Sequence, residues 1–192
     1  MKKRAQSFWR LLWAQDWLAV LLAATLLGTG LSFIYSASWR GEETGIVGAW
    51  FGRQVWWAAL GAAVATALAA VDYRFWIRTA WWLYLATLGM LALVLVMGTK
   101  VYGAYRWLNV FGVLVQPSEF AKVALVVVLA RVLGGGALTP RSFGTVAIGL
   151  LLMGLPFLLI LVEPDLGTAM VLIPTTAIML FAAGAAFRYL AG

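Results

Sequence analysis

Residues 105–131 read YRWLNVFGVLVQPSEFAKVALVVVLAR, a polar interruption in a chain of otherwise long apolar runs. The stretch carries Arg106, Asn109, Gln116, Ser118, Glu119, Lys122 and Arg131. Pro117 is suited to the first turn of a helix, and Glu119 falls just inside that turn. The spacing therefore predicts a helix from about Gln116 onward. Glu119 and Lys122 are three apart, so they share one helix face. Ionisable groups at that depth in a membrane are costly, and they mark a polar site by default.

The surrounding composition explains why depth in a membrane is the relevant scale. The chain has 192 residues, 64% of them hydrophobic and only 11% charged. Soluble domains carry about 25% charged residues. The fold class expected is therefore an all-α, polytopic transmembrane helix bundle. The chain has no cysteine and no histidine, which removes thiol chemistry and the usual zinc ligand and neutral-pH base. Acid–base work is left to Asp, Glu, Lys and Arg. The net charge of +7 reads as topology or attraction to anionic headgroups, not as a nucleic-acid surface.

Working outward, six spans are expected, near residues 17–35, 54–71, 79–97, 117–134, 142–162 and 166–187. They form a single integral membrane domain. The uncharged run from Trp17 to Trp39 is long enough to span, so the first is read as a retained helix, not a cleaved leader. Trp107–Ser118 is too short to cross, and is expected to be a re-entrant or interfacial segment before span four. Glu42 and Glu43 read as a solvated loop. Lys and Arg counts favour a cytoplasmic N-terminus, and this puts the start of span four and the Glu163-Pro164-Asp165 turn on the same outer side.

Each candidate residue has two readings. Glu119 and Lys122 are either a self-neutralising ion pair or a cation for an anionic substrate with an acid that sets its position. Asp165 is either a helix cap or the third member of a Glu119–Lys122–Asp165 cluster. Arg106 is either a headgroup anchor or a phosphate clamp. Arg53 has the same two readings, with the anchor favoured. No Walker loop, dinucleotide fingerprint or metal-spaced cluster is present. The residues by themselves leave a transporter and a lipid-handling enzyme both open.

YGAYRWLNVFGVLVQPSEFAK and LILVEPDLGTA, with SFIYSAS and RQVWWAALG, resemble the signatures of the SEDS family (shape, elongation, division and sporulation). The likeness is nearer its RodA-like than its FtsW-like members. It implies a ten-helix glycosyltransferase that polymerises peptidoglycan from lipid II at the outer face of the bacterial cytoplasmic membrane. It also implies a class B penicillin-binding protein as partner, contact with membrane lipids, and no nucleic acid. Carried over by motif, Glu119, Lys122 and Asp165 support catalysis. Arg106, Gln116, Ser118 and Arg53 bind substrate, with Lys122 and Arg106 on the diphosphate. A divalent cation, Mg or Mn, bridged by Glu119 or Asp165, is the one cofactor expected, with no organic cofactor. The family's catalytic aspartate lies beyond residue 192, so these residues alone are expected to be inactive. A lipid II flippase and a non-catalytic assembly scaffold are the alternatives.

Overall fold

The computed structural model describes residues 16–39, 47–101, 104–135 and 142–185. The basic N-terminal segment, Glu42, Glu43 and residues 136–141 and 186–187 lie outside them. The chain divides into two compact units, Met1–Asp72 and Tyr73–Gly192.

The first unit is a helical hairpin of α1 (Trp17–Trp39) and α2 (Val47–Ala69). Asp16 starts α1 as a cap, its Oδ1 accepting from the backbone N–H groups of Leu18 and Ala19. Tyr35 meets Phe51 edge-on, tying the two helices together.

The second unit holds α3 (Tyr73–Met97), α4 (Pro117–Gly134), α5 (Phe143–Val162) and α6 (Leu166–Ala182). Helix α4 is the hub, packed against the other three. Its buried residues are Pro117, Ser118, Ala121, Ala124, Leu125, Val128 and Leu129. They recur at helical spacing and include two alanines, so neighbouring backbones come close. Its charges at Glu119, Lys122 and Arg131 fall off that stripe. Leu150, Leu151, Leu155 and Leu158 of α5 point outward and are exposed. A helix that is apolar on both faces suits lipid outside and protein inside.

Pro156 lies within α5 and is buried. Proline has no N–H, so the carbonyl of Leu152 loses its helical donor. The Tyr84 hydroxyl of α3 fills that gap, donating to the Leu152 carbonyl at 2.7 Å.

Among the described residues, three helices are long and apolar enough to cross a membrane: Trp17–Ser38, Tyr73–Met97 and Phe143–Val162. Helix α6 is apolar but has 17 residues. Helix α4 begins and ends where the sequence predicts, whereas α3 begins at Tyr73, six residues earlier than expected.

The stretch before α4 is β-structure. Thr99–Val101 (β1), Ala104–Val110 (β2) and Val113–Val115 (β3) form an antiparallel sheet in the order β1-β2-β3. Val110 pairs with Val113, leaving a two-residue turn at Phe111 and Gly112. Both turn residues have positive φ, 52° and 85°, as the tight hairpin turn matched to strand twist requires. The Asn109 side chain accepts from the Gly112 N–H at 2.9 Å and closes the turn. A run too short to cross as a helix thus satisfies its backbone by pairing with itself.

Candidate functional site

The strand β2 positions the first member of the site. Side chains alternate along a strand, so Arg106 and Leu108 share a face. Leu108 is buried, which marks that face as the one turned to the helices. Arg106 accordingly reaches the turn between α5 and α6. Its Nε donates to the Glu163 carbonyl at 3.2 Å, and its Nη2 donates to the Pro164 carbonyl. Its Nη1 lies 4.0 Å from Asp165 Oδ1. One guanidinium thus meets three successive residues of the Glu163-Pro164-Asp165 turn. Its side chain remains 34% exposed, against 10% for Asp165.

That turn is fixed by the helix ends on either side. The Asp165 N–H donates back to the Ile160 carbonyl at 3.2 Å, closing α5. Asp165 then caps α6, its Oδ1 accepting from the Thr168 N–H and its Oδ2 from the Thr168 hydroxyl. Gln116, the residue before α4, makes no side-chain cap for its own helix. Its Nε2 instead donates to Asp165 Oδ2 at 3.0 Å, linking the starts of α4 and α6. The cap reading and the cluster reading of Asp165 therefore coexist, with Arg106 and Gln116 as the companions.

Lys122 pairs with Glu119. Its Nζ is 2.8 Å from Glu119 Oε1, and the side chains are 30% and 56% exposed. Among the described residues no hydrogen bond or ion pair joins Lys122 to Asp165. The expected three-membered cluster is replaced by two pairs, Glu119–Lys122 and Arg106–Asp165. Ser118 is fully buried in the first turn of α4, with no hydrogen-bond partner for its hydroxyl among the described residues. Arg53 belongs to the first unit, where its guanidinium stacks over the Trp50 ring at 4.3 Å, consistent with the anchor reading.

Both Asp165 oxygens are engaged by Thr168, Gln116 and Arg106, and Glu119 is held by Lys122. No group of three or more Asp or Glu residues is gathered for a metal among the described residues.

One residue of the site escaped the sequence reading. Glu163 is 1% exposed, and neither carboxyl oxygen has a hydrogen-bond partner among the described residues. Burial and then the neighbouring Asp165 push its pKa from 4.5 up to about 7, against the opposing pull of Arg106. The signal available was its place within two residues of Asp165, which an ordinary turn reading obscures.

Residues 16–192 match the model of the FtsW/RodA/SpoVE family, described as cell cycle proteins. The chain is 35% identical, over 92% of its length, to the probable peptidoglycan glycosyltransferase FtsW of Trichlorobacter lovleyi, and covers 48% of it. It is 33% identical to the peptidoglycan glycosyltransferase RodA of Treponema pallidum, over 90% of this chain and 40% of that one. A crystal structure of a variant of Thermus thermophilus rod shape determining protein RodA superposes with a TM-score of 0.77 at 30% identity, covering 93% of this chain and 57% of that one. A chain of a peptidoglycan synthase complex that coordinates polymerization and crosslinking gives 0.76 at 32% identity, over 89% and 48%. The chain spans about half the length of the curated relatives it matches. It is a multi-pass membrane protein, and it belongs to the FtsW/RodA/SpoVE family, the SEDS family its motifs resemble.

Proposed function

We propose that this chain is the diphosphate-holding part of a peptidoglycan glycan-strand polymerase. The substrate would be lipid II, and the reaction would occur at the outer face of the bacterial cytoplasmic membrane, with the N-terminus in the cytoplasm. The observation that carries the reading is the partly exposed guanidinium of Arg106, fixed by the turn between α5 and α6. Glycosyl transfer from a lipid diphosphate gathers negative charge on the leaving group, and a cation fixed in advance stabilises it without reorganising. A guanidinium suits phosphate oxygens because its donors form a planar fork. Gln116 and Asp165 position this part by joining two helix starts to the Arg106 turn. Lys122 is the second cation, held ready by Glu119. The acceptor hydroxyl must also lose a proton to a base. None of the acids described above has that place by motif.

The reading extends to a class B penicillin-binding protein as partner and to cell elongation as the process served. The test uses purified full-length protein in detergent with lipid II and neither ATP nor an ion gradient. Glycan chains are expected from the wild type. Arg106→Ala and Lys122→Ala are each expected to lower the rate at least tenfold while the protein stays folded in membranes. Wild-type rates from both variants would remove these cations from the mechanism. Transbilayer movement of lipid II without polymer would favour a flippase.

A further inference from the structure

Of the charges on α4, Arg131 has no place in the site at the start of that helix. It lies twelve residues beyond Glu119, about 18 Å along the helix and at its opposite end. Its Nη1 donates to two backbone carbonyls of α3, those of Ile77 and Arg78, the latter at 3.1 Å. Carbonyls hold a guanidinium in place without neutralising it. The Nε and Nη2 donors of Arg131 have no hydrogen-bond partner among the described residues. A fixed, half-buried cation with spare donors therefore lies against α3.

Arg78 adds a second charge. Arg131 attaches at its backbone carbonyl, and its own side chain is exposed, with no hydrogen bond or ion pair among the described residues. Trp82 follows four residues later and so shares the face of Arg78. Its ring is exposed, and its indole N–H has no partner among the described residues. Leu85 and Leu93 continue the same face and are exposed as well. The face thus passes from cation through amphipathic ring to apolar side chains, the order of a lipid from headgroup to acyl chain.

The sign of the headgroup follows from the acids. Glu119, Glu163 and Asp165, the acids of the second unit, all lie at the other end, joined to the start of α4. Asp72 and Arg74 have interactions of their own and stand outside the site. No free carboxylate remains among the described residues to receive the ammonium of a zwitterionic headgroup. Two guanidiniums instead favour a phosphate of net negative charge.

We infer that Arg78, Arg131 and Trp82 form a headgroup site for an anionic phospholipid of the bilayer, with its phosphate at the guanidiniums and its chains along the outer face of α3. Such a lipid bridges the ends of α3 and α4 that Arg131 already links. On the orientation proposed above, the site faces the cytoplasmic leaflet, where anionic headgroups collect at basic pockets between helices. The inference does not depend on the reading of Arg106.

The experiment places full-length protein in nanodiscs of phosphatidylglycerol and phosphatidylcholine in equal amounts, with matched acyl chains. Native mass spectrometry after release then counts the lipids that stay bound. Each Lys or Arg near an anionic surface contributes about fivefold to association. Wild type is therefore expected to retain phosphatidylglycerol over phosphatidylcholine about 25-fold, Arg78→Gln and Arg131→Gln about fivefold each, and the double variant without preference. Arg131→Lys should keep most of the wild-type preference, because it keeps the charge. Excess inorganic phosphate should leave the bound phosphatidylglycerol in place, because the acyl chains contribute to holding it. The Arg78 side chain is exposed and has no contact to lose, so Arg78→Gln decides the matter even if Arg131→Gln fails to fold. An unchanged preference in Arg78→Gln, or equal retention of the two lipids by wild type, would overturn the site. Displacement of phosphatidylglycerol by inorganic phosphate would overturn the lipid and leave a free-phosphate site in its place.

Discussion

Replacing Tyr84 by Phe tests how the second unit tolerates a proline in its most apolar helix. The substitution keeps the buried ring and deletes one hydroxyl. That hydroxyl donates to the Leu152 carbonyl at 2.7 Å, and Pro156 cannot supply the helical N–H in its place. Leaving a buried carbonyl without a donor costs about 1–3 kcal/mol in soluble proteins. Hydrogen-bond couplings in membrane proteins average ~0.6 and reach ~1.7 kcal/mol. The expected loss for Tyr84→Phe is therefore about 1–2 kcal/mol. The double-mutant cycle sharpens the test. Pro156→Ala restores an N–H four residues after Leu152, so Tyr84→Phe in that background should cost less than ~0.5 kcal/mol. Reversible unfolding in mixed micelles, followed by tryptophan fluorescence, measures each corner of the cycle. An equal cost for Tyr84→Phe in both backgrounds would refute the argument that the hydroxyl replaces the missing amide.

Three further outcomes are expected. Glu163 is neutral at low pH in the folded chain, so the stability linked to its raised pKa is fully present below about 4.5 and is lost as pH rises through about 7. Glu163→Gln should thus gain on the wild type between pH 5 and pH 8, by up to about 3 kcal/mol at ~1.4 kcal/mol per unit, and parallel melting curves at the two pH values check this. A Cβ at Gly98 would run into the Val94 carbonyl oxygen and lie 3.2 Å from Tyr105 Cβ. Gly98→Ala should therefore shift the β-sheet relative to α3 and cost about 1–3 kcal/mol, read from thermal unfolding. At Gly149 an added Cβ would come 2.9 Å from a Leu180 methyl, so Gly149→Val should destabilise the α5–α6 contact by about 1–3 kcal/mol, and Leu180→Ala should offset part of it.

What could be read before the structure divides along physical lines. Helix α4 was legible to its ends because Pro117 marks one boundary and a run of glycines the other. Arg106, Gln116 and Asp165 were legible as members of a site because polar groups in apolar surroundings stand out by type. Their arrangement was not. The Glu119–Lys122 pair seemed a natural companion for Asp165 when topology placed both on one side. A side-chain reach of a few ångströms decides between companions, and topology does not resolve that. The β-sheet was missed for a different reason. Counting uncharged residues against membrane thickness asks only whether a helix can cross, whereas the alternating residues around Phe111-Gly112 also fit a hairpin. Glu163 was passed over because sequence shows a charge but not its burial.

The hairpin tip has a practical consequence. Phe111 is 103% exposed and holds a positive φ that a bulky residue adopts only with strain. Asparagine or glycine would sit there more comfortably, so trimming the ring should tighten the turn without emptying any packed space. The chain has no cysteine, so a single thiol introduced at this apex would be chemically unique. A dye or spin label attached there would report on the surroundings of the loop while leaving the buried contacts of the bundle intact.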